Sequence, residues 1–82
     1  MITTLQLLDE LKRVRELDSD RAAAKYLKKT QAAVSKWRTG HPMSLETAVE
    51  IAEDLELDLD LVVLSNMSER RMYKLQKDRL AS

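Results

Sequence analysis

Apolar residues recur every three or four positions along most of this chain, and almost nothing in it alternates in twos. Leu7, Leu8, Leu11, Val14 and Leu17 form one stripe, predicting a first helix opened by Thr3 or Thr4 as N-cap and ending near Leu17-Asp18. Ser19 or Asp20 can cap a second, shorter helix from Arg21 to Leu27, with Ala23, Ala24 and Leu27 facing inward. Lys28-Lys29-Thr30 then makes a three-residue joint. A third helix is predicted from about Gln31 to Arg38, with Thr30 as N-cap, Gly40 left-handed beyond its end and Pro42 enforcing the stop. Ser44 begins a fourth, with Leu45, Ala48, Val49, Ala52 and Leu55 as its buried stripe and Glu46 in the first turn, where the helix dipole favours acid. Asp58 can cap a fifth, whose Leu61, Val62 and Leu64 are expected to complete the core. After Ser65 the pattern weakens, as Met67, Met72, Leu75 and Leu80 interleave with Arg70, Arg71, Lys74, Lys77 and Arg79. A last helix from near Ser68-Glu69 competes there with a frayed tail over 65–82.

Composition agrees with an all-α fold. The chain has one glycine, one proline and no phenylalanine, and is rich in Leu, Ala, Glu and Lys. Its 82 residues suit one domain, and a chain this short buries only about 60–65% of its unfolded surface, so oligomerisation is a natural remedy for marginal stability. Without cysteine there is neither a disulfide framework nor a thiolate metal site. The single histidine, His41, lies between Gly40 and Pro42 and reads as a loop residue, with a phosphate contact as the alternative. No apolar run approaches about 18 residues and no signal-type amino terminus is present, so a cytoplasmic protein without a membrane partner is expected. No cofactor, metal or small-molecule ligand is expected, and no enzymatic activity. The chain has no glycine-rich phosphate loop, and its carboxylates fall in a pattern that helix solvation explains.

Charge changes the picture. The chain is neutral overall, with 14 basic and 14 acidic residues, but the two signs are segregated. Between Asp20 and Arg38 stand six cations (Arg21, Lys25, Lys28, Lys29, Lys36, Arg38) against Asp20 alone. Between Leu45 and Leu61 stand seven acids and no base. A duplex responds to the face it meets, because screening hides charges beyond roughly 8–10 Å at physiological salt. The acidic fourth helix reads as a solvated face, or as a surface that repels DNA and so selects the opposite side for docking.

Ala24 and Val34, ten positions apart on the second and third helices, make a small residue and a buried aliphatic that let two helices cross closely. Val34-Ser35-Lys36-Trp37 follows the Val-Ser-x-Trp ending. From Leu5 to about Leu64 the chain resembles the Cro/repressor-type (lambda-repressor-like, XRE) helix-turn-helix family, most densely over 24–38. That resemblance implies a five-helix DNA-binding domain over 1–64, with 65–82 as an additional helix or tail. Its implied motif core is Ala24, Leu27, Val34 and Trp37. Trp37 is expected in that core rather than stacking on DNA, and Tyr26 reads either as a rim residue or as a phosphate donor. The family usually has glycine at the turn, where this chain has Lys28. A lysine at positive φ costs about 1 kcal/mol, so either the turn is reshaped or the cost is tolerated.

By the same resemblance the third helix enters the major groove. Gln31, Ala32, Ala33 and Lys36 then read bases, while Thr30, Ser35 and Arg38, with Ser19, Arg21, Lys28 and Lys29, meet phosphate. The chemistry is compatible: an amide suits the adenine edge, a methyl suits thymine and an ammonium suits guanine O6/N7. The expected function is a sequence-specific transcriptional regulator of nucleoid DNA, a small Cro-like repressor of phage, prophage or bacterial origin that occupies a double-stranded operator. The alternative is a protein-interaction module of antitoxin or antirepressor type on the same scaffold. Residues 65–82 are expected to mediate a homodimer, with cations trailing along phosphate as the other reading.

Overall fold

The computed structural model describes residues 1–81, so the last position of the expected C-terminal segment lies outside the described residues. The helices are α1 (Thr4–Val14), α2 (Asp20–Leu27), α3 (Gln31–Arg38), α4 (Leu45–Asp54) and α5 (Leu59–Ala81), with no strand among the described residues. Each opens on a side-chain oxygen that accepts the N–H three residues on. Thr3 accepts from Gln6, Ser19 from Ala22, Thr30 from Ala33, Ser44 from Thr47 and Asp58 from Leu61. Thr3 rather than Thr4 is therefore the first cap, and the Gln6 side chain completes a capping box by accepting the Thr3 N–H. Ser19 rather than Asp20 is the second.

Four helices close in one way. Leu17, Lys29, His41 and Leu57 return N–H bonds of 2.8–3.0 Å to the carbonyls of Lys12, Ala24, Lys36 and Ala52, each around a left-handed residue. Those residues are Glu16 (φ 54°), Lys28 (57°), Gly40 (106°) and Glu56 (54°), so only one of the four is glycine. The early closure at Glu16 ends α1 at Val14, short of the expected Leu17-Asp18, and leaves Val14 exposed. The Lys28 turn is not reshaped: it takes the geometry glycine would take and tolerates the Cβ crowding. Lys28→Gly is accordingly expected to stabilise the fold by about 0.5–1 kcal/mol in urea denaturation. A less stable variant would mean that the lysine side chain contributes more than its backbone costs.

The core collects Leu7, Leu8 and Leu11 from α1, Ala23 and Ala24 from α2, and Val34 and Trp37 from α3. Met43 joins them from the loop, with Ala48, Ile51 and Ala52 from α4 and Val62 from α5. On α4 the interior line is Thr47, Ala48, Ile51 and Ala52, whereas the expected Leu45, Val49 and Leu55 are only half-buried. The main helix contacts are α4 with α5 and α2 with α3, and α1 packs against α2, α3 and α4.

The largest correction concerns α5. No glycine or proline interrupts 59–81, and the helix runs unbroken through position 65, so the expected division there falls inside a helix, with no separate sixth helix among the described residues. Its inward line is Val62, Ser65, Asn66, Glu69 and Tyr73, four of the five polar. Ser65 Oγ accepts the Ile2 N–H at 3.0 Å, and Asn66 Nδ2 donates to the Met43 carbonyl at 2.9 Å. Glu69 accepts both the Thr4 N–H (3.0 and 3.1 Å) and the Thr4 hydroxyl (2.6 Å), while Thr4 Oγ1 accepts the Met43 N–H at 3.0 Å. Leu61 and Leu64, expected in the core, point outward because polar groups take the inner face. Although α5 spans about 35 Å, no helix among the described residues is long and apolar enough to cross a membrane.

Candidate nucleic-acid interface

The small side chains of Ala23 and Ala24 bring α2 close to α3, and the fully buried Val34 and the nearly buried Trp37 occupy the inner face of α3. The motif core expected from Ala24, Leu27, Val34 and Trp37 is thus assembled, with Leu27 half-buried against it. With its back committed to the core, α3 presents Gln31, Ala32, Ser35 and Lys36 outward, and Ala33 sits half-buried at the flank. Ala32, Ser35, Lys36 and Thr39 follow one ridge at helical spacing. Thr39 was not among the sequence candidates. It extends that ridge, and its hydroxyl donates to the Lys36 carbonyl at 2.9 Å.

Thr30 and Ser19 are exposed at the amino ends of α3 and α2. Each Oγ accepts one N–H at 3.1 Å and keeps its own proton for another acceptor. Arg21, Lys28, Lys29 and Lys36 are exposed and form no salt bridge with a described residue. The surface therefore joins a row of small and amide side chains to uncompensated cations.

Arg38 does not belong to that set. Its Nε and Nη2 donate to the two Asp20 oxygens at 2.8 Å each, and Nη2 also reaches Asp9 Oδ1 at 2.9 Å. Lys12 Nζ meets Asp20 at 2.9 Å, so the network fastens α1, α2 and α3 together. Arg38, with Lys12 behind it, holds the Asp20 carboxyl well below the usual range despite partial burial, and Asp20 raises Arg38 in turn. A depressed carboxylate stabilises the fold above its unfolded pKa of about 3.9, and that contribution disappears as pH falls through the folded value. The strut thus stays intact across the neutral range.

Both partners are about one-third exposed (33% and 34%), so solvent screening limits the worth of the pair. Arg38→Ala is expected to cost about 1 kcal/mol in thermal unfolding and to leave the salt dependence of duplex binding unchanged. A salt slope lower by about one would return Arg38 to the phosphate set.

Tyr26 is a rim residue whose hydroxyl donates to Asp54 Oδ2 at 2.6 Å, which pushes the phenol up. Arg15 Nη2 meets Asp54 Oδ1 at 2.5 Å and the Asp54 carbonyl at 3.0 Å. Tyr26 first and Arg15 second hold the Asp54 carboxyl below its ordinary value. One acid of α4 is thereby committed to structure, whereas Glu46, Glu50 and Glu53 remain exposed.

At the other end of α3, His41 packs on Tyr73 with ring centroids 4.8 Å apart, and the Tyr73 hydroxyl lies 2.9 Å from His41 Nδ1. This contact sets the cationic half of α5 beside the loop after α3, where His41, Pro42, Arg70, Arg71 and Lys74 line a shallow hollow. None of the protein-family models, curated proteins or solved structures compared with this chain matches it.

Proposed function

We propose that this protein is a sequence-specific double-stranded DNA-binding regulator, a small Cro-like repressor of the helix-turn-helix type that occupies an operator on nucleoid DNA. The observation that carries the reading is the division of α3: Val34 and Trp37 are buried, and Gln31, Ala32, Ser35 and Lys36 stand out beside exposed Arg21, Lys28 and Lys29. A helix held by one face can enter a major groove with the other. Gln31 can present its amide to adenine, Ala32 a methyl to thymine and Lys36 an ammonium to guanine, while Lys28, Lys29, Thr30 and Ser19 contact phosphate. The exposed acids of α4 would disfavour docking by that side.

Selection from random duplexes, followed by salt titration of the enriched sites, tests this reading. The expected outcome is one enriched consensus whose affinity falls steeply with salt. Equal recovery of all sequences would reject sequence recognition, and salt-insensitive or absent binding would reject DNA as the partner.

A further inference from the structure

One strongly cationic surface lies outside the α3 site. From Arg70 to Ala81, α5 carries Arg70, Arg71, Lys74, Lys77 and Arg79 against Asp78 alone. Arg70, Lys74 and Lys77 follow one another at steps of four and three residues, within about 60° of arc on one flank of the helix. All three are exposed, and none forms a salt bridge with a described residue.

This flank adjoins the end of α3. Thr39, which extends the outward ridge of α3, shares a hollow with Gly40, Gln76 and Lys77. His41 and Pro42, next along the chain, share another with Arg70 and Lys74. The row Ala32, Lys36 and Thr39 therefore passes through the loop to three further cations on a second helix.

The flank is also fixed in place. Tyr73 lies between Arg70 and Lys74 in the sequence and turns inward, its hydroxyl 2.9 Å from His41 Nδ1. One turn earlier, Glu69 accepts the Thr4 N–H and hydroxyl, and Asn66 Nδ2 donates to the Met43 carbonyl. α5 thus reaches this flank already tied to the amino end of α1 and to the loop after α3. Cations on an ordered helix meet an anion without first losing the backbone freedom of a tail.

We propose that Arg70, Lys74 and Lys77 grip the phosphate backbone of the duplex beyond the carboxyl end of α3, a fixed second contact that lengthens the footprint. The inference rests on the DNA-binding reading and adds residues that α3 and the Lys28 turn do not supply. The major groove admits one helix, so cations on a second helix beside α3 meet the flanking backbone and add no sequence information. From Arg70 to Lys77 the helix rises about 10 Å. That length suits two or three phosphates, at ~3.4 Å of axial rise each along one strand.

The Arg70→Gln/Lys74→Gln/Lys77→Gln triple variant removes the three charges and keeps side chains that favour a helix. On the consensus duplex selected by wild type it should show the same base preferences, and its helical circular dichroism should be unchanged. Its salt slope should fall by about two to three. An unchanged slope in a variant that still binds the consensus would overturn the proposal and leave the DNA-binding reading intact. Replacing single phosphates by neutral methylphosphonates locates the contact. Wild type should lose affinity at two or three adjacent phosphates flanking the bases read by α3, and the triple variant should be indifferent at those positions alone. A small loss spread evenly over many phosphates would reject the fixed contact in favour of a mobile basic tail. Wild-type protein that binds no duplex would overturn this contact together with the function on which it rests.

Discussion

Lys36→Ala is expected to relax base preference at one position of the bound duplex by about 1–3 kcal/mol, while affinity for unrelated sequences changes little. Lys36 stands on the outward ridge of α3 with Ala32 and Ser35 and forms no salt bridge with a described residue, so its ammonium can meet a base edge. Lys28→Ala should behave differently. The Lys28 side chain leaves the joint between helices, outside α3, and should contribute charge without sequence information. Its loss should weaken all duplexes alike and lower the salt slope by about one. Competition titrations of both variants against a panel of single-base-pair changes make the comparison. If the two variants give the same profile, the division of roles on this face is wrong.

Glu69→Ala should produce the largest loss of stability among the polar substitutions, about 2–3 kcal/mol. The Glu69 carboxylate is the acceptor for the Thr4 N–H and hydroxyl, and Thr4 is itself buried. Its negative charge also lies at the amino end of α1, where the helix dipole favours it. Removal leaves a buried donor without a partner and loosens α1 from α5 together. For a chain of this size the melting temperature should fall by roughly 10–20 °C. Glu69→Gln keeps an amide oxygen at the site and should recover part of that loss. A melting temperature for Glu69→Ala within a degree or two of wild type would show that water replaces the carboxylate at little cost.

Glu69 also shows where the chain was hard to read. Its partner Thr4 lies 65 positions away, and no local pattern connects a threonine in the first turn of α1 with an acid in the middle of α5. The inward face of α5 is mostly polar, so apolar periodicity pointed to Leu61 and Leu64, which are outside. The carboxylate partners of Arg38 were hidden for a related reason. Among the cations of 20–38 it is the one that Asp20 and Asp9 grip from α2 and α1, and charge counting does not distinguish it from Lys28 or Lys36. By contrast, Val34 and Trp37 were recognisable as the inner side of α3, because apolar residues three apart on a short amphipathic helix have few alternative uses. The outward set Gln31, Ala32 and Lys36 followed from that assignment.

The linear order of residues by itself determined the existence and starts of the helices and which side of α3 faces out. The reason is range: a hydroxyl caps an N–H three residues away, and an apolar stripe repeats within one or two turns. Only the tertiary structure decided that Lys28 adopts the left-handed turn, that Arg38 is a strut, and that α5 turns polar groups inward while keeping a leucine and methionine stripe outside. The Lys28 turn closes locally, on the Ala24 carbonyl, but the other two outcomes depend on groups brought together from distant segments. Thr4 with Glu69, Arg38 with Asp9 and Asn66 with Met43 acquire their energies only when packing has placed them within hydrogen-bond reach.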